Sequence, residues 1–79
     1  MSLQSYFHAK VNRLRTQSRT SDVISPEPAR QLYRYLRDEL GLQVDPRNNT
    51  KHNRLIGDRY YVTFSPKNTE VHILIQRIR

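Results

Sequence analysis

The side chains with the most chemical capacity in this 79-residue sequence are three histidines and a few carboxylates. His8, His52 and His72 stand far apart, at no spacing such as i, i+4 that would bring two metal ligands onto one helix face. A metal-assisted nuclease would need His52, in the run "DPRNNTKHNR" (45–54), as general base, with Asp45 and Asp58 beside it to hold Mg²⁺. That spacing defines no site. The sequence also lacks a glycine-rich phosphate loop and a nucleophile motif, and a chain this short has little volume for a concave pocket. It reads as non-enzymatic, with no catalytic residue, no metal and no cofactor.

Charge is the stronger signal. Fourteen Lys and Arg against seven Asp and Glu give a formal charge of +7 and a pI near 10.4, values that suit a chain meeting polyanions. Eleven of the fourteen are arginine, whose planar fork grips a phosphate bidentately where lysine offers a point charge. Residues 1–20 hold Lys10, Arg13, Arg15 and Arg19 with no acid. Arg30, Arg34 and Arg37 fall at i, i+4 and i+7, so on a helix they line one stripe. In "DPRNNTKHNR", Arg47, Lys51 and Arg54 exceed what a connector needs, while Asn48, Asn49 and Asn53 suit turn conformations. Such a loop can clamp phosphates.

The elements that must position these groups follow from periodicity. Ser2 caps a first helix running to about residue 16, with Leu3, Phe7, Val11 and Leu14 on one face. Ser, Thr and Pro in "TQSRTSDVISPEPAR" interrupt it, so residues 20–25 read as a linker. A second helix begins with Ser25 as cap, Pro26 at the first position and Glu27 in the first turn, and runs to Leu40 before Gly41. Ala29, Leu32, Tyr33, Leu36 and Leu40 form its apolar face.

Beyond Gly41 the period shortens to two. "LQVD" makes a short strand. "RLIGDRYYVTF" makes a second, with Ile56, Tyr60, Val62 and Phe64 inward and Arg59, Tyr61 and Thr63 outward, although the "YY" pair permits the opposite phase. "SPKNTE" turns, with Pro66 at i+1 and Asn68 left-handed. "VHILIQRIR" closes the hairpin, with Val71, Ile73 and Ile75 inward and His72, Leu74 and Gln76 outward.

The expected fold is therefore α+β: a single domain of residues 1–79 with a basic helix (1–19), a linker (20–25), and a second helix packed on a three-stranded antiparallel sheet (26–79). A core this small is near the lower limit for a lone domain, so a homodimer is possible. There is no cysteine, no apolar run of membrane-spanning length and no apolar signal-peptide segment in "MSLQSYFHAK", so an intracellular, cytoplasmic location is expected.

The function these residues imply is nucleic-acid binding, DNA ahead of RNA, by a regulatory or accessory factor. The contacts would come from Lys10, Arg13, Arg15, Arg30, Arg34, Arg37, Arg47, Lys51, Arg54 and Arg59, with Tyr61 as a stacking surface. The alternative is an adaptor or inhibitor docking on an acidic protein through the same arginines, with exposed Tyr35, Tyr61 and Leu74 as anchors.

Overall fold

The computed structural model describes residues 2–47 and 53–78. Two helices pack on one face of a five-stranded antiparallel sheet. Helix α1 spans Leu3–Arg13, strand β1 Arg19–Ile24 and helix α2 Pro26–Arg34, which continues into a π-helical turn, Tyr35–Glu39. Strands β2 (Gln43–Val44), β3 (Asn53–Ile56), β4 (Tyr60–Lys67) and β5 (Glu70–Arg77) follow. The sheet order is β1-β5-β4-β3-β2, so α2 carries the chain from one edge of the sheet to the other before the last four strands meander back.

The expected α+β class holds, and the strand count does not: there are five strands, not three. Two local features account for the difference. Residues 19–24 form an edge strand rather than a linker, pairing with β5 from Arg19↔Gln76 to Ile24↔Val71. The run expected to be one strand from Arg54 to Phe64 is two, because the chain reverses at Gly57–Arg59, where the Gly57 amide donates to the Tyr60 carbonyl at 2.9 Å. That reversal sets Ile56 opposite Tyr61 on the outward face, and Leu55, opposite Val62, takes the inward place expected of Ile56. It also settles the phase of the tyrosine pair, with Tyr60 towards the helices and Tyr61 away from them.

The helix termini follow the chemistry of their caps. The Ser2 hydroxyl accepts from the Ser5 amide at 3.1 Å, and α1 ends at Arg13, short of residue 16, with Leu14 as C-cap. Ser25 and Pro26 start α2, although the Ser25 side chain makes no capping bond. Gly41, at φ +72°, ends the π-helical turn, and the Leu42 amide reaches back to the Leu36 carbonyl at 3.0 Å. Within that turn the Leu40 amide bonds the Tyr35 carbonyl, five residues back, at 3.2 Å. The extra residue rotates Leu40 off the apolar stripe. Leu36 is fully buried, while Leu40, expected in the core, is 37% exposed.

Phe7 from α1 and Leu14 at its C-cap, Ala29, Leu32 and Leu36 from the second helix, Leu42 after Gly41, and Leu55, Val62, Phe64, Val71, Ile73 and Ile75 from the sheet form one core. Burying each large side chain contributes about 1.5–3 kcal/mol. The β4–β5 hairpin closes through Asn68 and Thr69, with Asn68 at φ +59° as its left-handed residue. Pro66 lies in β4 opposite Val71, not in the turn.

Candidate nucleic-acid interface

The predicted cationic residues divide into four groups according to what each side chain meets. The first is the second helix. Arg30, Arg34 and Arg37 line one hollow of about 330 Å³, together with Tyr33 and Asn53. The three arginines thus share one hollow, which extends to Asn53, the first residue of β3. Two of its arginines have acidic neighbours on their own element: Arg30 Nη2 lies 3.3 Å from Glu27 Oε2 and Arg37 Nε 2.8 Å from Asp38 Oδ1. These pairs are solvent-exposed and weak. The Arg37 guanidinium also sits 5.7 Å from the Tyr33 ring centroid, which steadies it over the hollow.

The second group surrounds Asp45, a carboxylate with only 4% of its side chain exposed. Its Oδ1 accepts from the Arg47 amide at 2.9 Å and lies 3.5 Å from Arg47 Nε, while Arg54 Nη1 is 3.9 Å from Oδ2. The Arg47 amide first, then the nearby Arg47 and Arg54 charges, hold the Asp45 carboxyl below its ordinary pKa. Arg54 continues onto the outward face of the sheet, 4.6 Å above the Tyr61 ring and 3.3 Å from the Thr63 hydroxyl. Arg47 and Arg54 thus turn towards Asp45, on the other side of the strand that brings Asn53 to the α2 hollow. Lys51, His52, Asn48 and Asn49 lie outside the described residues.

The third group is Lys10, which is drawn into the fold. Its Nζ lies 3.8 Å from Asp22 Oδ2, and its side chain is 17% exposed. The same Asp22 oxygen accepts from the Tyr6 hydroxyl at 2.7 Å. Burial, then the bond to Asp22 and its charge, raises the Tyr6 pKa well above the tyrosine range. The Tyr6 bond, with the Val23 amide and Lys10 behind it, lowers that of Asp22. Arg13 stands exposed in the last turn of α1.

The fourth group brings Arg15 and Arg59 to one cleft with Arg77, a residue that local pattern did not single out. Arg77 Nη1 donates to the Leu14 carbonyl at 2.8 Å and so caps the end of α1. Arg19, noted for its charge but not placed among the expected contacts, lies on the outward sheet face opposite Gln76. A further hollow, of about 690 Å³, is bounded by Leu40–Val44, Pro46 and Ile56–Tyr60, and Arg59 with Asp58 supplies its charge.

The outward sheet face carries neither helix. Arg19, Gln76, Tyr61 and Ile56 form a row across β1, β5, β4 and β3, with Leu74, Thr63 and Arg54 in the next. The Tyr61 hydroxyl donates to Gln76 Oε1 at 2.6 Å. Tyr35 differs from expectation. It is half-buried, shares a 3.1 Å hydrogen bond with His8 Nε2 and helps seat α1 on the second helix rather than standing free as an anchor. Among the described residues no three His, Asp or Glu side chains converge as a metal site would require, and no helix is long and apolar enough to cross a membrane.

No protein-family model, curated protein or solved structure matches this chain.

Proposed function

We propose that this chain is a small, non-catalytic nucleic-acid-binding protein that holds a phosphate backbone along α2. The observation that carries the reading is the shared hollow of Arg30, Arg34, Arg37 and Asn53, which joins a helix stripe to the foot of a basic connection. Three guanidinium groups at successive turns match the repeat of phosphates along a strand, and Asn53 adds an uncharged donor. The net charge of +7 supplies the long-range attraction. Arg47 and Arg54 approach the same connection from its other side, so the contact is a grip around the β2–β3 edge rather than a flat stripe.

The test is a mobility-shift titration with DNA duplex, single-stranded DNA and RNA, at about 50 mM and about 200 mM salt. Wild-type affinity falls steeply with salt. The triple variant R30Q/R34Q/R37Q lowers the slope of log affinity against log salt by about 3 and weakens binding at low salt by about a hundredfold. A wild-type chain that shifts none of these probes at the lower salt overturns the reading.

The open sheet face favours a second reading, docking on an acidic protein. Ile56, Tyr61 and Leu74 are half-buried there with Arg19 and Arg54 at the flanks, an apolar centre with a basic rim. A partner recovered after nuclease treatment, and lost with L74E but not with R34Q, would favour this face.

A further inference from the structure

We propose that the cleft lined by Arg15, Arg59, Arg77, Asn12 and Tyr60 is a binding site for a phosphate monoester carried on a small organic body. The site goes beyond the α2 interface and stands or falls separately from it.

The cleft has a volume of about 630 Å³, within the 300–1,000 Å³ typical of small-molecule sites. Its walls come from three segments that backbone bonds hold together. The Arg77 amide donates to the Ser18 carbonyl at 2.9 Å, the Ile78 amide to Arg59 at 2.9 Å, and the Gly57 amide to Tyr60 at 2.9 Å. The Arg77 guanidinium adds its 2.8 Å bond to Leu14 at the end of α1. The cleft is therefore preformed.

Its charge is unbalanced. Three guanidinium groups and the single carboxylate of Asp58 leave a formal excess of two positive charges. Among the described residues none of the three arginines forms an ion pair. At Asp22 a fixed carboxylate draws Lys10 towards it, and here a bound dianion is the group that would hold the cations. Arginine forks match the oxygens of an oxyanion bidentately, which a chloride cannot offer, and a phosphate dianion matches the excess of two charges where a carboxylate matches one. Tyr60 and Val11 line the same cleft and give surface for the organic part. Two sources carry this group: a free mononucleotide, and the phosphorylated 5′ end of a strand.

The experiment is an amide-resolved NMR titration of the full chain with adenosine 5′-monophosphate, adenosine and inorganic phosphate, followed by 5′-phosphorylated and 5′-hydroxyl tetranucleotides. Saturable shifts centred on residues 11–15, 58–60 and 77, present for the monophosphate and absent for adenosine, support the site. R15Q and R59Q, both at exposed positions, weaken the monophosphate roughly tenfold each, while R34Q leaves it unchanged. Tighter binding of the phosphorylated tetranucleotide than of the mononucleotide assigns the strand end, and the reverse assigns the free molecule. Shifts scattered over all arginines, or R15Q and R59Q chains that fold and bind as wild type, overturn the proposal, whatever the mobility-shift result for α2.

Discussion

Asp22 and Asp38 each meet a basic side chain, and the outcomes differ. Asp22 lies between α1 and the sheet, where it accepts from Tyr6 and draws Lys10 down to 17% exposure. Asp38 pairs with Arg37 on an exposed helix surface, and Arg37 still lines the hollow shared with Arg30 and Arg34. Here a cation is absorbed into the fold where its acid is already held by other donors and by packing, and it stays available where the acid is as exposed as itself. Asp45 stands between these cases: it is fixed, yet Arg47 keeps 81% of its side chain exposed. Counting basic residues therefore overstates a binding face.

The largest effect should come from the fixed acid. D22N removes the charged acceptor of both Tyr6 and Lys10 and should destabilise the fold by about 1 kcal/mol, towards the low end because the Asp22 side chain is 39% exposed. Urea unfolding measures it. The pH dependence has two signs. The folded pKa of Asp22 is below the ordinary value of 3.8, so its contribution is complete above that pH and is lost as pH falls through the folded value. The folded pKa of Tyr6 is above the ordinary value of 10.0, so its contribution is complete below pH 10 and is lost as pH rises through the folded value. Y6F, which keeps the ring, should flatten the alkaline limb. An unchanged limb would mean that the hydroxyl bond contributes nothing.

The same distinction explains what could be read in the chain alone. Both helices, the Gly41 stop and the β4–β5 hairpin are written locally, in caps and apolar periods, and so is the stripe of Arg30, Arg34 and Arg37. Strand β1 is not. Its inward residues are Thr20, Asp22 and Ile24, so the two-residue period is carried largely by polar groups, whose burial depends on the distant partners Ile75, Ile73 and Val71. The buried Thr20 hydroxyl has no partner among the described residues, a cost no local pattern announces. The π-helical turn has no composition of its own, and it alone moves Leu40 outward. The cleft of Arg15, Arg59 and Arg77 joins residues up to 62 positions apart, and only the register of β4 and β5 reveals it.

A smaller effect is expected at the intermediate case. D45N keeps the acceptor for the Arg47 amide and removes the charge that holds Arg47 and Arg54. Nucleic-acid affinity at low salt should rise two- to fivefold, with a steeper salt slope by about 1, as one more cation reaches phosphate. Fluorescence anisotropy of a labelled strand reads both. A fall in affinity would show that Asp45 orients Arg54 over Tyr61 productively rather than sequestering it.

The smallest effect belongs to the exposed pair. Glu27 and Arg30 lie three residues apart with side chains 69% and 67% exposed, and such pairs contribute at most a few tenths of a kcal/mol. Glu27 also occupies the first turn of α2, where a negative charge suits the helix dipole, so E27Q loses two small favourable terms together. The urea midpoint should move within error of wild type, while affinity for a strand rises by no more than about twofold as one repulsive charge leaves the interface. The sign of the binding change matters more than its size. If E27Q binds more weakly, Glu27 aligns the Arg30 fork for phosphate, and the exposed acid belongs with the fixed ones in positioning a cation.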